Sequence, residues 1–246
     1  MDSIQAVLDS ILFAEKFTPV NNALNNTASQ IHTMFWKDSF NRNLRLQNVE
    51  IEIRLGKCPT TQRGPFDTSI TEMQFNQMIE SLQGYNEWDE THYTEEIVAY
   101  FPKIDESVRL LISSDGETTL TSKQKVSQCD YVGQNLPFDL RLSVNIELDL
   151  DFTAEYSLES SDKIVNRKRH SFSLKNVRYD MTRIVEKNGR VTHQVELEVI
   201  NLPTIQLAES NAQSLTREIQ ARLVDLMNAV EPIRSFHIEL LRKRQF

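Results

Sequence analysis

Residues 139–152 alternate without a break: Asp139, Arg141, Ser143, Asn145, Glu147, Asp149 and Asp151 at one parity, and Leu140, Leu142, Val144, Ile146, Leu148, Leu150 and Phe152 at the other. Side chains switch faces at every step of a strand, so this segment has one polar and one apolar side. The ordinary outcome for any single strand of this kind is a sheet that wets its polar face. The rest of the chain points to another arrangement. The sequence predicts strands at 49–56, 91–101, 107–113, 117–127, 163–174, 177–186 and 191–200, with turn signals at Asp115-Gly116, Asn188-Gly189 and Ser160-Ser161-Asp162. Such close spacing means antiparallel pairing. Amphipathic helices are predicted at 3–16 (Ile4, Val7, Leu8, Ile11, Leu12), at about 29–40, and at 71–82 (Phe75, Met78, Ile79, Leu82), the last ended by Gly84. Helix returns over 208–246, with Leu215, Ile219, Leu223 and Leu226 in phase and Pro232 opening a final helix. Residues 18–26, rich in asparagine and containing Pro19, and the turn-rich stretch 59–67 read as loops. A strand set of this size can close on its polar faces around a lumen while helices cover the apolar outside. The expected fold is α+β, a closed antiparallel β-barrel with a polar lumen, in one domain over 1–246: N-terminal helices to residue 47, a barrel over 48–201 with one inserted helix, and C-terminal helices from 208.

The charges sharpen this picture. Glu50 and Glu52 alternate with Ile51 and Ile53, as Glu196 and Glu198 alternate with Leu197 and Val199. Carboxylates two residues apart on a strand lie roughly 7 Å from each other. Gathered in an enclosed space, they call for a neutralising cation, and carboxylate oxygen suits a hard ion such as Mg²⁺ or Mn²⁺. The polar parities also carry Glu147 and a basic set: Arg54, Arg109, Lys123, Lys125, Arg141, Arg167 and Arg169. Arginine and lysine bind phosphoryl oxygens. Acids along one edge and bases around the remainder describe a pocket for a metal-bound polyphosphate.

Several other function classes are disfavoured. A net charge of −8 argues against a broad surface that coats nucleic acid. Cys58 and Cys129 form neither a metal-site spacing nor a disulfide framework. There is no glycine-rich phosphate loop, and His32, His92, His170, His193 and His237 are scattered without ligand spacing. Trp36 and Trp88 read as packing residues. No segment approaches the ~20 apolar residues of a membrane span, so an intracellular protein without a membrane partner is expected.

With these blocks in order, the chain resembles the metal-dependent RNA 5′-triphosphatases of mRNA capping in fungi, protozoa and some large DNA viruses, members of the triphosphate tunnel metalloenzyme superfamily. The first metal-binding strand is similar to Val49-Glu50-Ile51-Glu52-Ile53-Arg54-Leu55-Gly56, and the strand with a phosphate-site arginine to Ser107-Val108-Arg109-Leu110. The lysine strand resembles Ser122-Lys123-Gln124-Lys125-Val126-Ser127. The block most specific to the family resembles Asp139-Leu140-Arg141-Leu142-Ser143-Val144-Asn145-Ile146-Glu147. Arg167-Lys168-Arg169-His170-Ser171-Phe172, Val177-Arg178-Tyr179-Asp180-Met181-Thr182-Arg183-Ile184 and Gln194-Val195-Glu196-Leu197-Glu198 complete the set. The sequence departs from the family at two inward positions, with Val165 where a cation is usual and Gln194 where a glutamate is.

The resemblance implies removal of the γ-phosphate from the 5′-triphosphate end of RNA, with a metal-dependent NTPase side activity. It implies Mg²⁺ or Mn²⁺ on Glu50, Glu52 and Glu198, and phosphate contacts from Arg109, Lys123, Arg141, Arg167, Arg169 and Arg54. Glu147, with Glu196, would position the attacking water, and Asp180 would orient a basic neighbour. An RNA guanylyltransferase is the implied partner, and the nucleus, or a viral replication compartment, the implied location. Arg242-Lys243-Arg244 is too short to specify import. Oligomeric state is left open, a homodimer included. Three readings stand beside this one: a hydrolase of tripolyphosphate or small triphosphates within the same superfamily, a non-catalytic module that binds phosphate ends, and a structural β-domain with its charged face exposed.

Overall fold

The computed structural model of the chain describes residues 17–19, 48–59, 64–133, 137–201 and 209–230. The helices expected at 3–16 and 29–40, the final helix after Pro232, and Trp36, His32 and His237 lie outside the described residues.

The sheet is built from β1 (Phe17–Pro19), β2 (Val49–Gly56), β3 (Glu90–Phe101), β4 (Asp105–Ser113), β5 (Thr118–Gly133), β6 (Asp139–Asp149), β7 (Lys163–Leu174), β8 (Val177–Glu186) and β9 (Val191–Val199). The strand order is β1-β5-β4-β3-β7-β8-β9-β2-β6, and β6 also pairs with β5. That last pairing closes eight strands into a ring and leaves β1 as an appendage on β5. The eight ring strands pair antiparallel throughout.

Three details differ from the sequence reading. Residues 17–19 are not loop: they pair with Tyr131–Gly133 at the overhanging end of β5. A proline is tolerated there because the strand is three residues long and lies at an edge. β5 runs to Gly133, because a register shift between Lys125 and Ser127 inserts a bulge and lets the strand continue beside β6. The bulge switches the parity of β5, so Lys123 faces the same side as Gln128 and Asp130 beyond it. β6 stops at Asp149, and Leu150 and Phe152 are exposed instead of continuing its apolar side.

The apolar side of the ring faces outward and is covered. Helix α1 (Glu72–Gln83) begins with a capping box between Thr71 and Gln74 and buries Phe75, Met78 and Leu82. Helix α2 (Glu209–Val230) buries Ile219, Leu223, Leu226 and Met227. Together they pack on Ile51, Ile53 and Leu55 of β2, Val177, Tyr179 and Met181 of β8, and Val195, Leu197 and Val199 of β9, forming one cluster. Trp88 joins it by donating its indole N–H to the Leu82 carbonyl at 2.9 Å and stacking against Phe172 and Tyr179. A smaller cluster of Ala99, Phe101, Val108, Leu110 and Leu120 lies under Tyr156 on the β6–β7 connection. With helices and this connection occupying the outside, the polar parity is left to the inside.

Met78 is wholly buried where α1 meets the barrel. Met78→Ala is expected to cost about 2–5 kcal/mol, the usual range for deleting a large buried side chain. Urea denaturation read by far-ultraviolet circular dichroism measures the loss.

Candidate active site

Residues opposite each other in a β-ladder project to the same side, so the register alone says which side chains share the inner wall. Arg109 stands opposite Thr121, and Lys123, two residues on, stands opposite Glu147. On the parity of Glu147, Asn145 and Arg141 are opposite Glu50 and Arg54. Glu52 is opposite Glu198, and Arg54 is opposite Glu196. Those two glutamates face Arg178 and Asp180. Asp180 is opposite Ser171, with Arg169 and Arg167 at the next two positions of that parity. Arg167 faces Glu96, and Tyr100, on the parity of Glu96, faces Arg109. The circuit returns to its start, so the twelve residues given roles from sequence, and Lys125 opposite Asn145, share one face of the closed sheet.

On that face the charges are interleaved. The sequence reading placed acids at one edge and bases around the remainder, and the structure corrects it. Lys123 on β5 reaches past β6 to β2, where its ammonium touches Glu50 and lies 2.9 Å from Glu52 Oε2. Arg54 lies between Glu52, 3.2 Å from Nη2, and Glu196, 2.9 Å from Nε. Arg178 Nη2 is 2.5 Å from Glu198 Oε2, and its Nε is 3.1 Å from Asp180 Oδ1. Asp180, fully buried, also accepts hydrogen bonds from Arg169 at 3.2 Å and from the Ser171 hydroxyl at 2.6 Å. Arg167 donates through Nε and Nη2 to Glu96 at 2.7 and 2.5 Å. Asn145 donates to Glu50 at 3.1 Å. The physical reason is desolvation: an uncompensated carboxylate out of water costs several kcal/mol, so Glu50, Glu52, Glu96, Asp180, Glu196 and Glu198 each lie within reach of a cation.

Burial and neighbours set the protonation of this network. Glu52 is raised above the carboxylate range, first by burial and then by repulsion from Glu196, which Arg54 and Lys123 only partly offset. Burial also pushes Glu198 up, to about 7, against the pull of Arg178. Glu196 goes the other way: burial raises it, but Arg54, Arg169, Lys123 and Arg167 together hold it low, so it stays ionised. For Lys123, burial is outweighed by Glu52 and Glu50, which keep the ammonium charged.

Three acids were expected to hold a divalent cation, and their carboxylates are sheltered: side-chain exposure is 15% for Glu50, 4% for Glu52 and 21% for Glu198. Hard oxygen donors on neighbouring strands are the chemistry such an ion prefers. Among the described residues, no three His, Cys, Asp or Glu side chains are drawn together tightly enough to form a coordination cluster. The Lys123 ammonium and the Arg178 guanidinium supply the positive charge instead. The donor atoms are of the kind a hard cation takes, and in this arrangement the two basic side chains hold them.

Arg109 and Glu147 share the wall without an ion pair to another described residue. Arg141 is differently engaged. Its Nε and Nη2 donate to Asp130 at 2.6 and 2.8 Å, and its guanidinium lies 4.7 Å from the centre of the Phe66 ring. Sequence reasoning missed Arg178, Glu96, Asp130 and Phe66. Arg178 was within reach, since it shares the parity of Asp180 two residues away. Glu96 and Asp130 required the cross-strand register, and Phe66 required the path of a loop.

Residues 37–236 match the sequence model of the family described as mRNA capping enzyme, beta chain, the mRNA triphosphatases. The chain belongs to this family. Among solved structures it is similar to the S. pombe Pct1 RNA triphosphatase, with a TM-score of 0.64 and 16% identity over 89% of this chain and 96% of that one. A second structure, of Pct1 in complex with the Spt5 CTD, matches with a TM-score of 0.62 and 16% identity over 89% of this chain and 97% of that one. No curated protein sequence matches. At this identity the likeness shows a shared fold, the triphosphate tunnel. Among the described residues, no helix is long and apolar enough to cross a membrane.

Asp180→Ala would leave Arg169 and Arg178 without their shared buried acceptor. The expected cost is about 3–5 kcal/mol, the range for breaking a buried charge pair from one side. Asp180→Asn, which keeps an acceptor oxygen, should lose less. Paired denaturation curves of the two variants separate the charge from the contact.

Proposed function

We propose that this chain hydrolyses the γ-phosphate of triphosphate-ended RNA, the first step in building the mRNA cap. Membership of the capping-enzyme beta-chain family supports the substrate class. The observation that carries the chemistry is the inner wall itself, where Glu52 stands in register with Glu198 and the carboxylates of two adjacent strands face inward cations.

Arg109, Lys123, Arg167 and Arg169 come from the β4, β5 and β7 walls and bind the phosphoryl oxygens. Arg54 holds Glu52 and Glu196 in place and adds its charge to the same space. Arg141, held by Asp130 and Phe66 much as Arg167 is held by Glu96, is a further phosphate contact. Glu50, Glu52 and Glu198 would hold Mg²⁺ or Mn²⁺, which when bound supplies positive charge against that developing on the phosphoryl and bridging oxygens. Glu147, on the wall beside Lys123 and without an ion pair among the described residues, orients a water and takes its proton as the oxygen bonds to the γ-phosphorus. The bond from that phosphorus to the β–γ bridging oxygen breaks, and orthophosphate leaves a diphosphate-ended RNA. Asp180 fixes the directions of Arg169 and Arg178. The same geometry admits nucleoside triphosphates as a side activity. In a cell the diphosphate end passes to an RNA guanylyltransferase, in the nucleus or a viral replication compartment.

Glu50→Gln and Glu52→Gln are each expected to lower phosphate release from triphosphate-ended RNA by about 10²–10³, the usual consequence of removing one preorganised charge contact. Release is measured with Mg²⁺ or Mn²⁺ and again in chelator, with folding checked by circular dichroism. Full activity in either folded variant would overturn the assignment. Faster release from tripolyphosphate than from RNA would move the substrate to the small polyphosphates.

A further inference from the structure

Gly56 continues the inward parity of Glu50, Glu52 and Arg54, and a side chain there would point into the barrel above Arg54. That space is filled. A Cβ placed on Gly56 would meet the Asp67 carbonyl oxygen at 2.1 Å and the Phe66 ring at 2.4 Å. Phe66, 6% exposed, therefore lies on the inner side of the wall at this end. The segment 66–70 is fastened around the rim. Lys57 and Asp67 exchange backbone hydrogen bonds at 2.8 and 2.9 Å, and Ile70 N–H donates to the His193 carbonyl at 3.0 Å. Arg141, clamped by Asp130, lies over the Phe66 ring. Gln194, at the inward position where the family usually has glutamate, donates to the Thr68 hydroxyl at 2.9 Å. Gln194 stands opposite Thr182, and Thr182 accepts from Arg169 at 3.2 Å. The segment thus lies one rung beyond Arg54, Glu196 and Asp180, and it ties to the rung of Gln194, Thr182 and Arg169.

We propose that Phe66 and Thr68, held by Arg141 and Gln194, form a stop at one end of the tunnel. It blocks further travel of a polyphosphate and so fixes which phosphoryl bond is cut. This rests on the triphosphatase reading above. The phosphate chain comes in from the opposite end, its terminal phosphoryl halts below the stop, and the β–γ bond lies at the reacting position. With the stop removed, the chain slides deeper by one phosphoryl. Water then attacks the β-phosphorus, the bond to the α–β bridging oxygen breaks, and pyrophosphate leaves a monophosphate end. Val165, which replaces an inward cation on β7 and is buried opposite Val98, offers no counter-charge for a second phosphoryl near that end.

The test uses the full chain with triphosphate-ended RNA, resolving orthophosphate from pyrophosphate and diphosphate from monophosphate ends. The unaltered protein should give orthophosphate and diphosphate ends. Phe66→Ala should raise the pyrophosphate fraction by at least about tenfold, a modest figure for opening an apolar contact that discriminates between ligand positions. Gln194→Leu, which cuts the tie to Thr68 and leaves the Phe66 contact in place, should raise it in the same direction and serves where Phe66→Ala does not fold. A folded variant of either kind that releases phosphate with an unchanged product ratio overturns the stop. If the unaltered protein releases no phosphate from RNA, the triphosphatase reading fails instead, and the two failures are distinguishable.

Discussion

The structure depends on a sheet that closes with its polar face inward. Closure shelters the charged side chains of that face from bulk water, and most of them are balanced by an opposite charge. Lys123 spanning from β5 to Glu50 and Glu52, Arg54 between Glu52 and Glu196, and Arg178 between Glu198 and Asp180 are the result. These pairs join strands across the ring as well as along it, so the groups that hold the interior together are the groups proposed to meet the phosphates. A triphosphate with its cation brings both signs of charge, and can therefore exchange partners with this network without leaving either sign stranded.

That exchange has an asymmetry. Glu196 is held ionised by four cations, whereas Glu52 and Glu198 are pushed toward protonation by burial. Burial thus works against the ionised form of two of the three acids proposed for the metal, in spite of their arginine and lysine partners. Asp180 is taken up by Arg169, Arg178 and Ser171, which suits a part in positioning basic side chains.

Much of the fold was legible in the sequence because strands declare themselves by parity. The uninterrupted alternation from Asp139 gave β6, and the glutamates of β2 and β9 marked the same face of two strands far apart in the chain. Helix α1 was equally plain, since Phe75, Met78 and Leu82 mark one side and Thr71 and Gly84 bound it. The misses have local causes. The bulge after Lys125 reverses the parity of β5, so Asp130 joins the inner wall against the simple pattern. Phe152 has the right parity for the apolar face but stands beyond the end of β6, exposed. Pro19 looks like a loop residue and lies in a strand because the overhang of β5 offers an edge.

Sequence by itself determined which side chains share a face within each strand, since that follows from a backbone period of two and needs no partner. It also determined the family, through the order of several such strands. Tertiary structure decided which faces meet: that Glu52 lies opposite Glu198, that Lys123 reaches Glu50 and Glu52 from two strands away, and that Phe66 fills the space above Gly56. Lys123 shares the neutralising of β2 with the strand's own Arg54. These contacts are matters of register, of reach across a closed ring and of the path of a loop, and those between residues distant in sequence form only when the sheet closes.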